Sequence, residues 1–107
     1  MSKIKITVIK RFGPEDVFGH GYKTPKGVKV EKCSLKEGQE WISENGEMPE
    51  DFCSWAWVDL SRSIHVLRFG GNFKDWAEEG VMYNACSDGV RPVCFKLERI
   101  EDSLEKE

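Results

Sequence analysis

From residue 3 to residue 10 the chain alternates, with Ile4, Ile6 and Val8 set against Lys3, Lys5 and Thr7. That is the two-residue period of a strand with one buried face. Residues 12–27 then carry four glycines and two prolines, which predicts a long loop, with a short turn at Pro14-Glu15-Asp16 and His20 set between two glycines. A second alternation from Val28 to Cys33 and a third from Gln39 to Ser43 predict two further short strands, the latter carrying Trp41. After Asn45-Gly46 and Met48-Pro49, the stretch from Asp51 to Phe69 holds no glycine or proline and reads as a helix. Asp51 is a candidate N-cap, Pro49 a candidate first helical residue, and Gly70-Gly71 the stop. Residues 72–80 read as an irregular or helical turn. Val81–Ser87 and Val90–Ile100 then flank Asp88-Gly89, the strongest short-range hairpin signal in the chain.

This order predicts one α+β domain over residues 1–107, a small, mostly antiparallel sheet with one long helix across it and a C-terminal β-hairpin. Residues 101–107 are expected to form a frayed acidic tail. At 100° per residue, Cys53, Ala56, Trp57, Leu60, Ile64 and Leu67 share one helix face, which predicts that Cys53 faces the core. Trp55, Val58, Val66 and Phe69 form a second apolar stripe almost opposite. The loop with Phe12, Val17, Phe18 and Tyr22 is expected to cover it, with a homodimer or a protein partner as the other occupant. A two-residue turn at Asp88-Gly89 would set Cys86 opposite Arg91 and Asn84 opposite Val93, with Cys86 on the face of Val93, Phe95 and Leu97, and Cys94 on the other.

Composition narrows the class. With 11% aromatic and 33% charged residues the chain suits a folded domain. MSKIKITVIK interleaves lysine with isoleucine instead of forming an apolar leader, and no run approaches membrane-span length, so the expectation is a soluble, cytoplasmic protein. Residues 1–36 carry nine Lys/Arg against three acids, while residues 37–107 carry seven against sixteen. The two parts attract each other. The basic part lacks the interleaved aromatics that stack bases, so a solvated or internally complemented face is expected rather than a nucleic-acid site.

The candidate chemistry lies in four cysteines, at 33, 53, 86 and 94. A reducing compartment favours free thiols or metal ligands over a disulfide framework, and no C-x-x-C is present to signal a zinc ribbon. The end of a strand, the start of the helix and the hairpin turn are all element ends, so Cys33, Cys53 and Cys86 are expected, though not required, to approach one edge. A thiol in a helix's first turn feels the positive end of the macrodipole, and Arg91 is the cation placed to stabilise a thiolate beside it. Three thiolates could hold zinc with one position open, or an iron–sulfur centre with an outside ligand, or perform thiol redox chemistry. Equally, free cysteine packs as a small apolar residue. In that case the protein is a non-enzymatic interaction or homodimerisation module and the second helix stripe is its working surface.

Other features point to no chemistry. His65 lies twelve residues after Cys53, roughly 18 Å along a helix, too far to share a metal with it. Ser61 and His65 are neighbours on a polar face without an oxyanion hole or third partner. No general acid–base pair stands out, so whether the protein is an enzyme stays open at this stage.

The stretches KITVIKRF (5–12), Cys33 with Gly38-Gln39, MPEDFCSWAW (48–57), FGG (69–71) and CSDGVRPVCFKLERIE (86–101) carry a resemblance over nearly the whole chain. The sequence resembles an uncharacterised family of small bacterial and archaeal proteins of about this length. The resemblance implies cysteines at the positions of Cys33, Cys53 and Cys86, with Cys94 particular to this chain and residues 20–29 longer than the family pattern. It implies no activity.

Overall fold

The structure is a computed structural model and describes residues 2–100; the expected acidic tail lies outside them. Strand β1 (Lys3–Arg11), the short helix α1 (Pro14–Phe18), strand β2 (Glu40–Ser43), helix α2 (Ser54–Arg68), strand β3 (Val81–Ala85) and strand β4 (Val93–Ile100) follow in that order. The strands form one antiparallel sheet ordered β2-β1-β4-β3. This is the expected α+β arrangement, with α2 packed on one face and β3–β4 as the C-terminal hairpin.

The alternation in β1 does what its period requires. Ile4, Ile6 and Val8 are buried together with Val93, Phe95 and Leu97 of β4, and Ala56, Leu60, Ile64 and Leu67 of α2 close over them. Each Val, Leu, Ile or Phe side chain so removed from water contributes roughly 1.5–3 kcal/mol. On the outer face the lysines of β1 meet carboxylates of the more acidic remainder. Lys5 lies 3.8 Å from Glu40 and 3.7 Å from Glu98, and Lys3 lies 3.7 Å from Glu44. The charge asymmetry of the sequence is thus partly resolved across the sheet, although exposed pairs of this kind contribute little each.

Helix α2 starts later than the sequence suggests. Asp51 has a left-handed φ of 61° and closes a turn in which Phe52 N–H donates to the Pro49 carbonyl (3.3 Å). Phe52 is thereby driven into the core, edge-on to Trp41 at 4.8 Å and tilted against Phe95 at 5.8 Å. Cys53 is left as the N-cap residue, exposed rather than facing the core as its helical phase implied. At the other end Gly70, at φ 89°, supplies the expected stop. Arg99 of β4 donates to the carbonyls of Leu67 (3.0 Å) and Gly71 (2.7 Å), placing a cation on the negative end of the helix.

Two other expectations are corrected. Residues 28–33 form no strand; their one backbone pairing of strand type is the isolated Lys23–Lys29 bridge. The loop after β1 does not cover the outer stripe of α2, because Phe12 N–H is drawn to the Pro92 carbonyl (2.9 Å). Phe18 of that loop stacks with His20 and Tyr22 at 6.0 and 5.4 Å, while Val58 stays 72% and Phe69 68% exposed.

Because Leu60 is fully buried and Val58, two residues earlier, is mostly exposed, Leu60→Ala should destabilise the fold by about 2–5 kcal/mol and Val58→Ala by less than about 0.5. Urea unfolding followed by tryptophan fluorescence measures both, and comparable losses would place the core on the wrong helix face.

Candidate functional site

The β3–β4 connection sets the geometry of the site. Asp88-Gly89 does not make a two-residue turn; the observed register pairs Asn84 with Phe95 and Ala85 with Cys94, and Cys86 N–H donates to the Val93 carbonyl at 3.0 Å. The ladder is shifted by two residues from the tight-turn register. Pro92 explains the shift: with no N–H it cannot take the ladder position opposite Ala85. The Asp88 carboxylate instead accepts from the N–H groups of Val90 (2.9 Å) and Arg91 (3.3 Å), shaping a wider connection. A shift by an even number keeps every side chain on its face. Cys86 therefore stays on the core side with Phe95 and Leu97, and Cys94 points outward.

Arg91 no longer sits opposite Cys86 in the ladder. Its Nε lies 3.6 Å from Asp88 Oδ2, and its Nη1 donates to the Glu31 carbonyl at 3.4 Å. The wide connection nonetheless brings it to the same place. Cys33, Cys53, Cys86 and Arg91 all line one cavity of about 90 Å³, completed by Leu35, Trp55, Ala56, Asp88, Val93 and Phe95. That is smaller than the ~150 Å³ apolar cavity that admits benzene, so it accommodates a side chain or a small molecule.

Each thiol arrives by a different route. Cys53 stands at the first turn of α2, where no side chain caps the backbone N–H groups, beside the positive end of the helix. Cys86 is half-buried, and its Sγ accepts a hydrogen bond from Val93 N–H at 3.3 Å. Cys33 comes from the irregular segment before β2, and Arg11 pins it there by donating from Nη1 to its carbonyl at 3.0 Å. Arg11 also holds the end of that segment, for its N–H donates to Glu37 Oε2 at 3.1 Å. This bond holds the Glu37 carboxyl below its ordinary value of 4.5, against some desolvation and with help from the charges of Lys10, Arg11 and Lys32.

Two neighbours were not placed at the thiol site by the sequence. Trp55, assigned to the outer stripe, turns its Nε1–H to Ser87 Oγ at 2.7 Å and roofs the cavity from the helix side. Asp59, one turn further, accepts from Ser87 N–H at 2.8 Å. The i, i+4 spacing of Trp55 and Asp59 is the only sequence sign that both reach one partner. Val58, Val66 and Phe69 take no part in the cavity, and Cys94 lies on the opposite sheet face.

Among the described residues no three His, Cys, Asp or Glu side chains are grouped so as to hold a metal ion, and no helix is long and apolar enough to cross a membrane. No family model, curated protein or solved structure matches the chain, so the chemistry of the cavity rests on its own residues.

The hydrogen bond to Glu37 has a pH signature. Because the folded-state value is lowered, its contribution is present above the unfolded value near 4.5 and is lost as pH falls through the folded one. Urea midpoints between pH 7 and pH 3 should drop less in Glu37→Gln than in the parent protein. An identical acid limb in the two would contradict the assignment.

Proposed function

We propose that this protein is a thiol redox protein whose working groups are Cys53 and Cys86, with Cys33 as a third thiol of the same site. The observation that carries this reading is the convergence of these cysteines, from three separate parts of the chain, on one cavity with Arg91. Redox chemistry is favoured over zinc or iron–sulfur ligation because the described thiols are not grouped around a common metal position.

Cys53 is the exposed member and the natural attacking thiol, standing at the start of α2 on the same cavity as Cys86 and Arg91. Its thiolate attacks one sulfur of a substrate disulfide, forming a mixed disulfide and expelling the other sulfur as a thiolate. Cys86 then attacks the Cys53 sulfur. A Cys53–Cys86 disulfide forms, the second substrate thiolate leaves, and the two protons given up by the cysteines are taken by the products. The protein loses two electrons and the substrate disulfide gains them. Trp55, held to Ser87, forms one wall of the space in which the exchange takes place.

A second reading is favoured by a different observation. Val58 and Phe69 remain 72% and 68% exposed on one helix side, the kind of surface an interaction or homodimerisation module presents. Inert thiols in the test below, together with a dimer in sedimentation, would favour it.

Treatment with diamide followed by peptide mapping tests the redox reading. One intramolecular Cys53–Cys86 disulfide should form, with loss of two titratable thiols. Cys53→Ser should block that disulfide and Cys94→Ser should leave it intact. Four unchanged thiols, or a disulfide through Cys94, would overturn it.

A further inference from the structure

Asp88 and Arg91 are shared walls. On one side they close the thiol cavity; on the other they line an open groove of about 490 Å³ with Tyr22, Thr24, Val28, Val30 and Val90. The two spaces adjoin at these residues. Along the far wall of this groove the segment 28–31 presents backbone as well as side chains. Thr24 N–H donates to the Val28 carbonyl (2.9 Å) and Val30 N–H to the Tyr22 carbonyl (3.0 Å), so alternate groups are already used. The intervening groups of Lys29 and Glu31 point the other way, and Arg91 reaches the Glu31 carbonyl from that side. Among the described residues the N–H groups of Lys29 and Glu31 and the Lys29 carbonyl have no backbone partner. This is an open edge of the kind that an extended peptide pairs with.

The charge of the segment names the peptide's character. Lys23, Lys26, Lys29 and Lys32 stand within ten residues, with Glu31 as the one acid among them. Among the described residues Lys29 alone of the four has a carboxylate within ion-pair distance, that of Glu31 at 3.6 Å. The lysines of β1 meet acids across the sheet, whereas Lys23, Lys26 and Lys32 do not; in the groove lining itself Lys29 and Arg91 are offset by Glu31 and Asp88, so the excess positive charge lies on the flanking lysines of the segment.

We propose that the groove seats an acidic, extended segment of a partner polypeptide, and that this segment delivers a cysteine of a disulfide to Cys53. The inference rests on the thiol reading above and names its substrate class. The partner's backbone pairs along residues 29–31, its acidic side chains meet Lys23, Lys26 and Lys29, and its cysteine passes Arg91 into the cavity. Cys53 attacks that sulfur, the bond to the outgoing sulfur breaks, and the outgoing thiolate carries away the electron pair.

Short N-acetylated peptides carrying one cysteine as its 2-pyridyl disulfide, flanked by Asp/Glu or by Lys, provide the test, because release of thiopyridone reads the first exchange. Each rate is divided by that of the small neutral reagent 2,2′-dithiodipyridine with the same protein, with Cys53→Ser identifying the reacting thiol. The acidic peptide should react about tenfold faster than the basic one at low salt, with the advantage shrinking as salt is added. In Lys26→Glu/Lys29→Glu the ratio should fall to one or below. Equal rates for the two peptides, with dithiodipyridine still reacting at Cys53, would overturn the groove assignment alone. Failure of dithiodipyridine to react at Cys53 would overturn both proposals.

Discussion

The packing of Ala56, Leu60, Ile64 and Leu67 of α2 onto the inner face of β1 and β4 is the contact on which everything else depends. It fixes the helix axis against the sheet, and with it the place where the helix begins. Phe52, buried just before that beginning, sets the rotational phase, and Arg99 secures the far end. Between these two clamps the first turn of α2 has no choice but to lie beside the β3–β4 connection. Ser87 records the closeness, since Trp55 and Asp59 both bond to it.

From that placement the cavity follows. Cys53 is exposed because the core claims Phe52, and Cys86 is inward because it follows the alternation of β3. Arg11 adds Cys33 by fixing a segment that has no ladder of its own. None of the three cysteines is placed by another, so their meeting is a consequence of the fold and not of a local motif.

Much of this was legible in the sequence, for definite reasons. The period of Ile4, Ile6 and Val8 gave the inner sheet face, the glycine-free run before Gly70 gave the helix, and the outward position of Cys94 followed from alternation. The face of Cys86 survived an error in turn length because the true register differs by two residues, a shift that alternation cannot detect. What was not legible depended on competition between distant groups. Helical phase put Cys53 in the core, but burial of Phe52 against Trp41 and Phe95 delays the helix and turns Cys53 outward. Val28–Cys33 has the pattern of a strand yet finds no ladder, since β1 is already paired on both sides by β2 and β4. Trp55 was assigned by its apolar character to the outer stripe, whereas its indole N–H, invisible to a hydropathy pattern, draws it over the cavity.

Cys33, Cys53 and Cys86 line one small space from which Cys94 is excluded, and a trivalent arsenical, which must bridge neighbouring thiols to bind tightly, reads that arrangement. Phenylarsine oxide should bind the reduced, folded protein with one-to-one stoichiometry, tightly in the parent and in Cys94→Ser, and weakly once Cys53 and Cys86 are both replaced by serine. No binding to the folded protein, or binding that depends on Cys94, would contradict the shared cavity and the function built on it.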